Sequence, residues 1–264
     1  VAEVDALAQQ AGSPNPVSLL QSASESLPGQ EKGLSGALNI LILLTVLALA
    51  PSIVLMTTCF VRIIIVFGLL KQALGAQNLP PSQVLLSLAL FMTFVVMAPT
   101  YQRVFDEAVA PYQRGEIKSQ LEMWERAKAP IRDFMFRQIE ATGNWSSLYL
   151  FLNYKGVDTS EPDTLTRGDV DTMTLAAAYM LSELKTAFVM GFRVYLPFLI
   201  IDMIIASLLI SMSMMMLPPV LVSMPFKILL FVLVDGWTLV VGSLMTSVAQ
   251  PQTVQAAAAA LGGG

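Results

Sequence analysis

Charged side chains are missing from two long stretches of this chain, and that absence limits what it can become more than any motif does. Between residues 33 and 100 only Arg62 and Lys71 are charged, and from residue 172 to the end only Glu183, Lys185, Arg193, Asp202, Lys227 and Asp235. Stretches of this length without charge cannot form a water-facing surface, so lipid or other apolar helices must cover them. Over all 264 residues, 55% are hydrophobic and 13% charged, against about a quarter charged in ordinary soluble domains. The mean hydropathy is +0.66. Composition therefore predicts an integral membrane protein with two apolar blocks. They flank a water-facing segment, residues 101–171, which carries nine Lys/Arg and twelve Asp/Glu.

What the chain lacks excludes several chemistries. It has no histidine and a single cysteine, Cys59, so a histidine-based triad, a His or Cys-cluster zinc site and an intrachain disulfide are all ruled out. Cys59 sits in an apolar run and reads as a small buried thiol. The net charge of -4 and the lack of a Lys/Arg run give no reason to expect nucleic acid as a partner. No glycine-rich phosphate loop with its lysine occurs. The opening at Val1, in a polar Ser/Gln/Pro-containing stretch, is what removal of a signal peptide or trimming leaves. Removal would put the first residues outside the cytoplasm.

The predicted fold is all-α, built of membrane-associated kinked helical hairpins with about four long apolar helices. Residues 1–36 read as a mobile arm and residues 37–100 as a first apolar hairpin, bent at Pro51 and turned at Pro80-Pro81. Residues 101–172 read as an amphipathic helical insertion, with a plain solvated connector as the alternative. Within it Ile117, Leu121 and Trp124 recur at helical spacing, and Pro130 suits the first turn of a new helix. Ile131, Phe134 and Met135 share a face of that helix, Asp133 and Arg137 can pair at i,i+4, and Gly143 or Asn144 ends it. Residues 153–171 read as a loop. Residues 173–248 form a second apolar hairpin, with breaks expected at Pro197, Pro218 and Pro219, and residues 249–264 are a low-complexity tail. Lys71 and Lys227 fall at the two short turns; with an outside amino terminus both turns face the cytoplasm.

Two features carry functional expectations. Met212, Met214, Met215 and Met216 stand immediately before Leu217-Pro218-Pro219. Long, flexible thioethers close a gap without fixing one shape, and paired prolines forbid a continuous helix. The run is either a soft gate at the end of a hairpin or apolar filler in a lipid-facing loop. The second feature is charge inside apolar helices, which costs about 2.5–3.5 kcal/mol per group at Arg62, Arg193, Asp202 and Asp235. Arg193 and Asp202 are nine residues apart, on opposite helix faces at about 100° per residue, so they cannot neutralise each other. Asp202 is expected to pair with Arg62 or Arg193 of the same or an adjacent chain. Glu183 and Lys185 also point to opposite sides. They are expected to pair between neighbouring subunits head to tail, or else to sit at headgroup level with water or lipid. An aspartate dyad of Asp202 and Asp235 is disfavoured, because no Gly-x-Gly-Asp pattern surrounds either residue.

Several runs together resemble the FliP/SctR family of type III secretion export gate proteins. They are residues 60–70 (FVRIIIVFGLL), 73–75 (ALG) and 80–86 (PPSQVLL), then Ala178-Tyr179 and residues 182–188 (SELKTAF). Residues 197–202 (PFLIID), Ala206-Ser207, the methionines with Pro218-Pro219, residues 225–227 (PFK) and residues 234–237 (VDGW) complete the set. The resemblance covers roughly residues 38–248, and Arg62 with the FGLL run looks like the flagellar branch. Departures are Lys71, the loop at 153–171 and the Ala/Gly tail. The resemblance implies a non-enzymatic export gate subunit that passes unfolded flagellar proteins across the bacterial inner membrane, within the flagellar basal body. About five copies would close with FliR and FliQ into a helical complex. It implies a gasket of Met214, Met215 and Met216 around the pore and inter-subunit contacts at Glu183 and Lys185. It also implies a periplasmic-side insertion and no cofactor. The equivalent gate of a virulence system and a small-solute or ion transporter remain the alternatives.

Overall fold

The computed structural model describes residues 34–75, 80–157, 159, 166–214 and 217–248. The arm at 1–33, part of the first hairpin's turn, part of the loop before residue 171, Met215 and Met216, and the tail from residue 249 lie outside the described residues. Every element among those described is helical. In order they are α1 (Leu34–Thr57), α2 (Phe60–Leu74), α3 (Ser82–Val104), a π-helical turn (Phe105–Val109), α4 (Ala110–Gln113), α5 (Gln120–Thr142), α6 (Trp145–Tyr154), α7 (Thr172–Ser211), α8 (Pro219–Leu233) and α9 (Gly236–Ser247). The chain divides into two compact units, Val1–Val54 and Leu55–Gly264.

Helix α1 continues through Pro51 without ending. The chain breaks instead at Thr58 and Cys59, where neither proline nor glycine stands. That is where burial begins: Thr58, Cys59 and Phe60 are all buried, so packing rather than local chemistry sets the break. Pro197 likewise lies inside the continuous 40-residue α7, and Pro130 inside α5 rather than at a helix start. The paired prolines stand at helix starts. Pro81 precedes α3 as its N-cap, and Pro218 caps α8 with Pro219 in its first turn.

The second unit is organised around α7, which packs against α2, α5, α6 and α8. Ala178, Ser182, Ala187 and Gly191 recur along the buried face of α7. These small residues let α2 come close with Ile63, Val66, Phe67 and Leu70. At Gly191 a Cβ would fall 2.2 Å from Leu69 Cδ1 and 3.1 Å from its Cβ. Phe134 and Met135 bring α5 onto the same core, with Ile131 packed at its edge, and the Phe134 ring meets Tyr179 edge-on at 6.0 Å. Gly143 ends α5 in the left-handed region at φ 67, as its sequence position predicts. The Ile117, Leu121, Trp124 stripe does not form: Ile117 is buried ahead of α5, while Leu121 and Trp124 are exposed.

At the outer face of this insertion Asp133 accepts from Arg103 at 2.8 Å and pairs with Arg137 and Arg167, each at 3.0 Å. Partial burial pushes its carboxyl up, but the Arg103 hydrogen bond and the charges of Arg137 and Arg167 outweigh this and leave it below its usual range. Asp171 caps α7 by accepting from the Met173 amide at 2.6 Å and the Thr174 amide at 3.3 Å. Lys155, with Thr174 and Met173, holds the Asp171 carboxyl well below the usual carboxylate range.

Among the described residues two stretches are long and apolar enough to cross a membrane, Ser82–Gln113 and Thr172–Ser211. The first passes through the π turn immediately before Pro111, whose ring would clash with the carbonyl four residues back in an unwidened helix. A third span exists if α8 and α9, bent by 65° at the break between them, count as one. At 1.5 Å per residue α7 is about 60 Å long, twice a hydrocarbon core of about 30 Å. Its first half carries the core. Its second half leaves Ile200, Met203, Ile204, Leu208 and Ile210 exposed, a surface that lipid or neighbouring helices must cover.

Candidate functional site

Helix α7 ends at Ser211 because the chain turns left-handed at Ser213, with φ 61. The Met212 amide donates to Leu208 O at 3.0 Å and the Met214 amide to Leu209 O at 2.9 Å, which satisfies the last carbonyls of the helix. Pro218 and Pro219 then start α8 in the reverse direction. The tip of this hairpin is apolar and open, with Met212 67% and Met214 41% exposed and Leu217 beside them also exposed.

The stem of the hairpin is clamped by charge. Lys227 on α8 is buried, and its ammonium donates to Asp202 Oδ2 on α7 at 2.6 Å and to the Ala73 carbonyl at 3.0 Å. Ser223 donates to Asp202 Oδ1 at 2.5 Å. Ala73 lies in the last turn of α2, which Gly75 closes at φ 70. The ammonium therefore meets the negative end of that helix as well as a carboxylate. A Cβ on Gly75 would lie 3.3 Å from Val220, and at φ 70 a side chain there would be strained. This corrects two expectations. Lys227 is not at a turn, and Asp202 is held by Lys227 and Ser223 rather than by Arg62 or Arg193.

Deeper in the core a second node ties four helices. Arg62 on α2 donates from Nε to Glu183 Oε2 at 2.8 Å and from Nη2 to Oε1 at 2.5 Å, and neither side chain is exposed. Its remaining donors reach Ser247 O at 2.8 Å, Ser247 Oγ at 3.2 Å and Gln138 Oε1 at 3.4 Å. All five N–H groups of the guanidinium are thereby used. Glu183 is consequently committed within its own chain, which corrects the expected pairing with Lys185 of a neighbour. Lys185 does point the other way, as the spacing requires; it is exposed, and its ammonium donates to Ser146 Oγ at 3.4 Å.

At the far end of α8 the bend is made by Asp235, with φ 50, and Gly236. A Cβ on Gly236 would fall 2.2 Å from the Phe231 ring, which packs edge-on against Trp237 at 5.3 Å and tilted against Phe198 at 6.2 Å. Among the described residues neither Arg193 nor Asp235 makes an ion pair, and both are exposed. Asp202 is engaged by Lys227, eight residues before Asp235 along the chain.

Sequence reasoning placed Lys227 at a turn and missed Ser223, Gln138 and Ser247. The spacing of Ser223 and Lys227, four apart and so on one helix face, could have pointed to a shared acidic partner. Nothing local marks Gln138 or Ser247.

These features define an all-helical membrane protein whose interior charges act as clamps between helices and whose apolar turn is left open. The chain belongs to the FliP family, whose model matches residues 43–244. It is similar to the flagellar biosynthetic protein FliP of Bacillus subtilis (strain 168), at 47% identity over 216 residues, covering 82% of this chain and 94% of the relative. The FliP of Caulobacter vibrioides is 47% identical over 205 residues, 78% of this chain and 74% of that protein. That of Pectobacterium carotovorum subsp. carotovorum is 45% identical over 224 residues, 85% and 83%. The family is one of flagellar export apparatus membrane proteins and not of enzymes.

Proposed function

We propose that this protein is a pore-forming subunit of the flagellar type III export gate, passing unfolded flagellar proteins across the inner membrane through a channel its methionines close when idle. The observation that carries the reading is the exposed Met212–Met214 turn at the tip of a hairpin whose stem is clamped by Asp202 and Lys227. A rigid stem presenting a pliable apolar tip suits a seal that must part for side chains of many shapes and close behind them. One such tip closes nothing. About five copies around one axis, with FliR and FliQ, would bring the turns together, and Met215 and Met216 continue the run. The name shared by the relatives favours the flagellar gate over its virulence counterpart. The insertion at 101–172 is assigned to the periplasmic side, and the energy for export to partner proteins.

Replacing Met214, Met215 and Met216 by alanine tests the gasket. Ion leakage across the inner membrane is expected to rise while the complex still assembles. Unchanged conductance together with unchanged export would reject the reading. Solute transport by the chain without FliR and FliQ would favour a transporter instead.

A further inference from the structure

The α7–α8 hairpin has a readable register. Asp202 meets Lys227. Four residues back along α7 and four on along α8, the rings of Phe198 and Phe231 meet at 6.2 Å. Arg193 lies five residues before Phe198 on α7, and Asp235 lies four residues after Phe231, at the 65° bend between α8 and α9. They carry opposite charge, both are exposed, and neither has an ion-pair partner among the described residues. They do not meet within the chain because Asp202 faces α8 and Arg193, nine residues earlier, faces away from it.

Their surroundings differ in a complementary way. Arg193 lines a cleft of about 740 Å³ together with Lys185, Asn144, Ser243 and Thr246, a concave and positive site. Asp235 stands at the bend that follows exposed Val232, Leu233 and Val234, an apolar stretch bearing one carboxylate.

We infer that the bend at Val234–Asp235 of one copy seats in the cleft of the next, with the Arg193 guanidinium donating to the Asp235 carboxylate and Lys185 extending the positive wall. This contact rests on the multi-copy reading under Proposed function and supplies the interface it requires. Its two halves are different patches of one protomer, so the contact is heterologous and propagates head to tail. A charge pair shielded by Val232, Leu233 and Val234 orients the copies and rejects the reversed docking, in which like charges would face each other.

Charge reversal tests the contact in the detergent-solubilised protein, read as complex mass by native mass spectrometry. R193D and D235R are each expected to lose most of the oligomer, and R193D/D235R together to recover most of it. Independently of folding yield, a chain carrying R193C and D235C is expected to form an oxidised ladder of dimers and larger species, whereas either cysteine alone does not. A double reversal no better than the singles, or loss with R193D but not D235R, would overturn the pairing and point to another acidic group, such as a lipid phosphate, in the cleft. An oligomeric wild type indifferent to both reversals overturns this contact alone. A wild type that is monomeric on its own overturns the multi-copy reading as well.

Discussion

Glu183 has no exposed atom, and a single guanidinium occupies both its oxygens. Replacing it with alanine would strand Arg62 in the core, a change that costs about 3–5 kcal/mol for buried pairs. Glu183→Ala is therefore expected to lower the unfolding midpoint in detergent strongly, while Arg62→Met with Glu183→Leu recovers most of the loss. Equal destabilisation by the single and double variants, measured by circular dichroism, would count against the pair as the cause. Arg62→Lys should fall between them, because an ammonium cannot keep five bonds in fork geometry. The sequence identified Arg62 as a costly interior charge, and spacing placed Glu183 opposite Lys185. It could not say that Glu183 faces inward onto Arg62, because the two are 121 residues apart and helical spacing relates only neighbours on one helix.

Among the elements, the paired prolines and the solitary ones behave differently. Pro80-Pro81 and Pro218-Pro219 flank turns, but Pro51, Pro130 and Pro197 are absorbed into continuous helices. A lone proline removes one backbone hydrogen bond. Ending a helix in an apolar setting strands several polar groups that water cannot satisfy, so the helix continues at Pro51 and Pro197; at Pro130, in the polar insertion, the packing of Phe134 and Met135 on the core holds the helix together. The α2–α7 contact depends on small residues, and Gly191 is its tightest point. Gly191→Val is expected to cost about 1–3 kcal/mol by overpacking, with Leu69→Ala restoring part of it. A double-mutant cycle on thermal stability that finds no coupling between the two sites would refute this account of the close approach.

For the whole molecule, Lys227 is the node that ties α8, the second arm of the methionine hairpin, to α2. Lys227→Met removes the bond to Ala73 O and leaves Asp202 unpaired, so hydrogen exchange is expected to quicken along α8 and the turn while α5 keeps its protection. Uniform quickening through the second unit would instead mean global destabilisation. The sequence by itself determined the class of the protein: the placement of charge dictates apolar helical blocks around a polar insertion, and the proline pairs dictate where the chain reverses. Both are local properties, set by what each residue allows its own backbone and by whether it tolerates lipid. Only the tertiary structure decided which charges neutralise one another and which, Arg193 and Asp235, remain outward. Those outcomes turn on side chains far apart in the chain meeting within hydrogen-bond distance, and no periodicity encodes that.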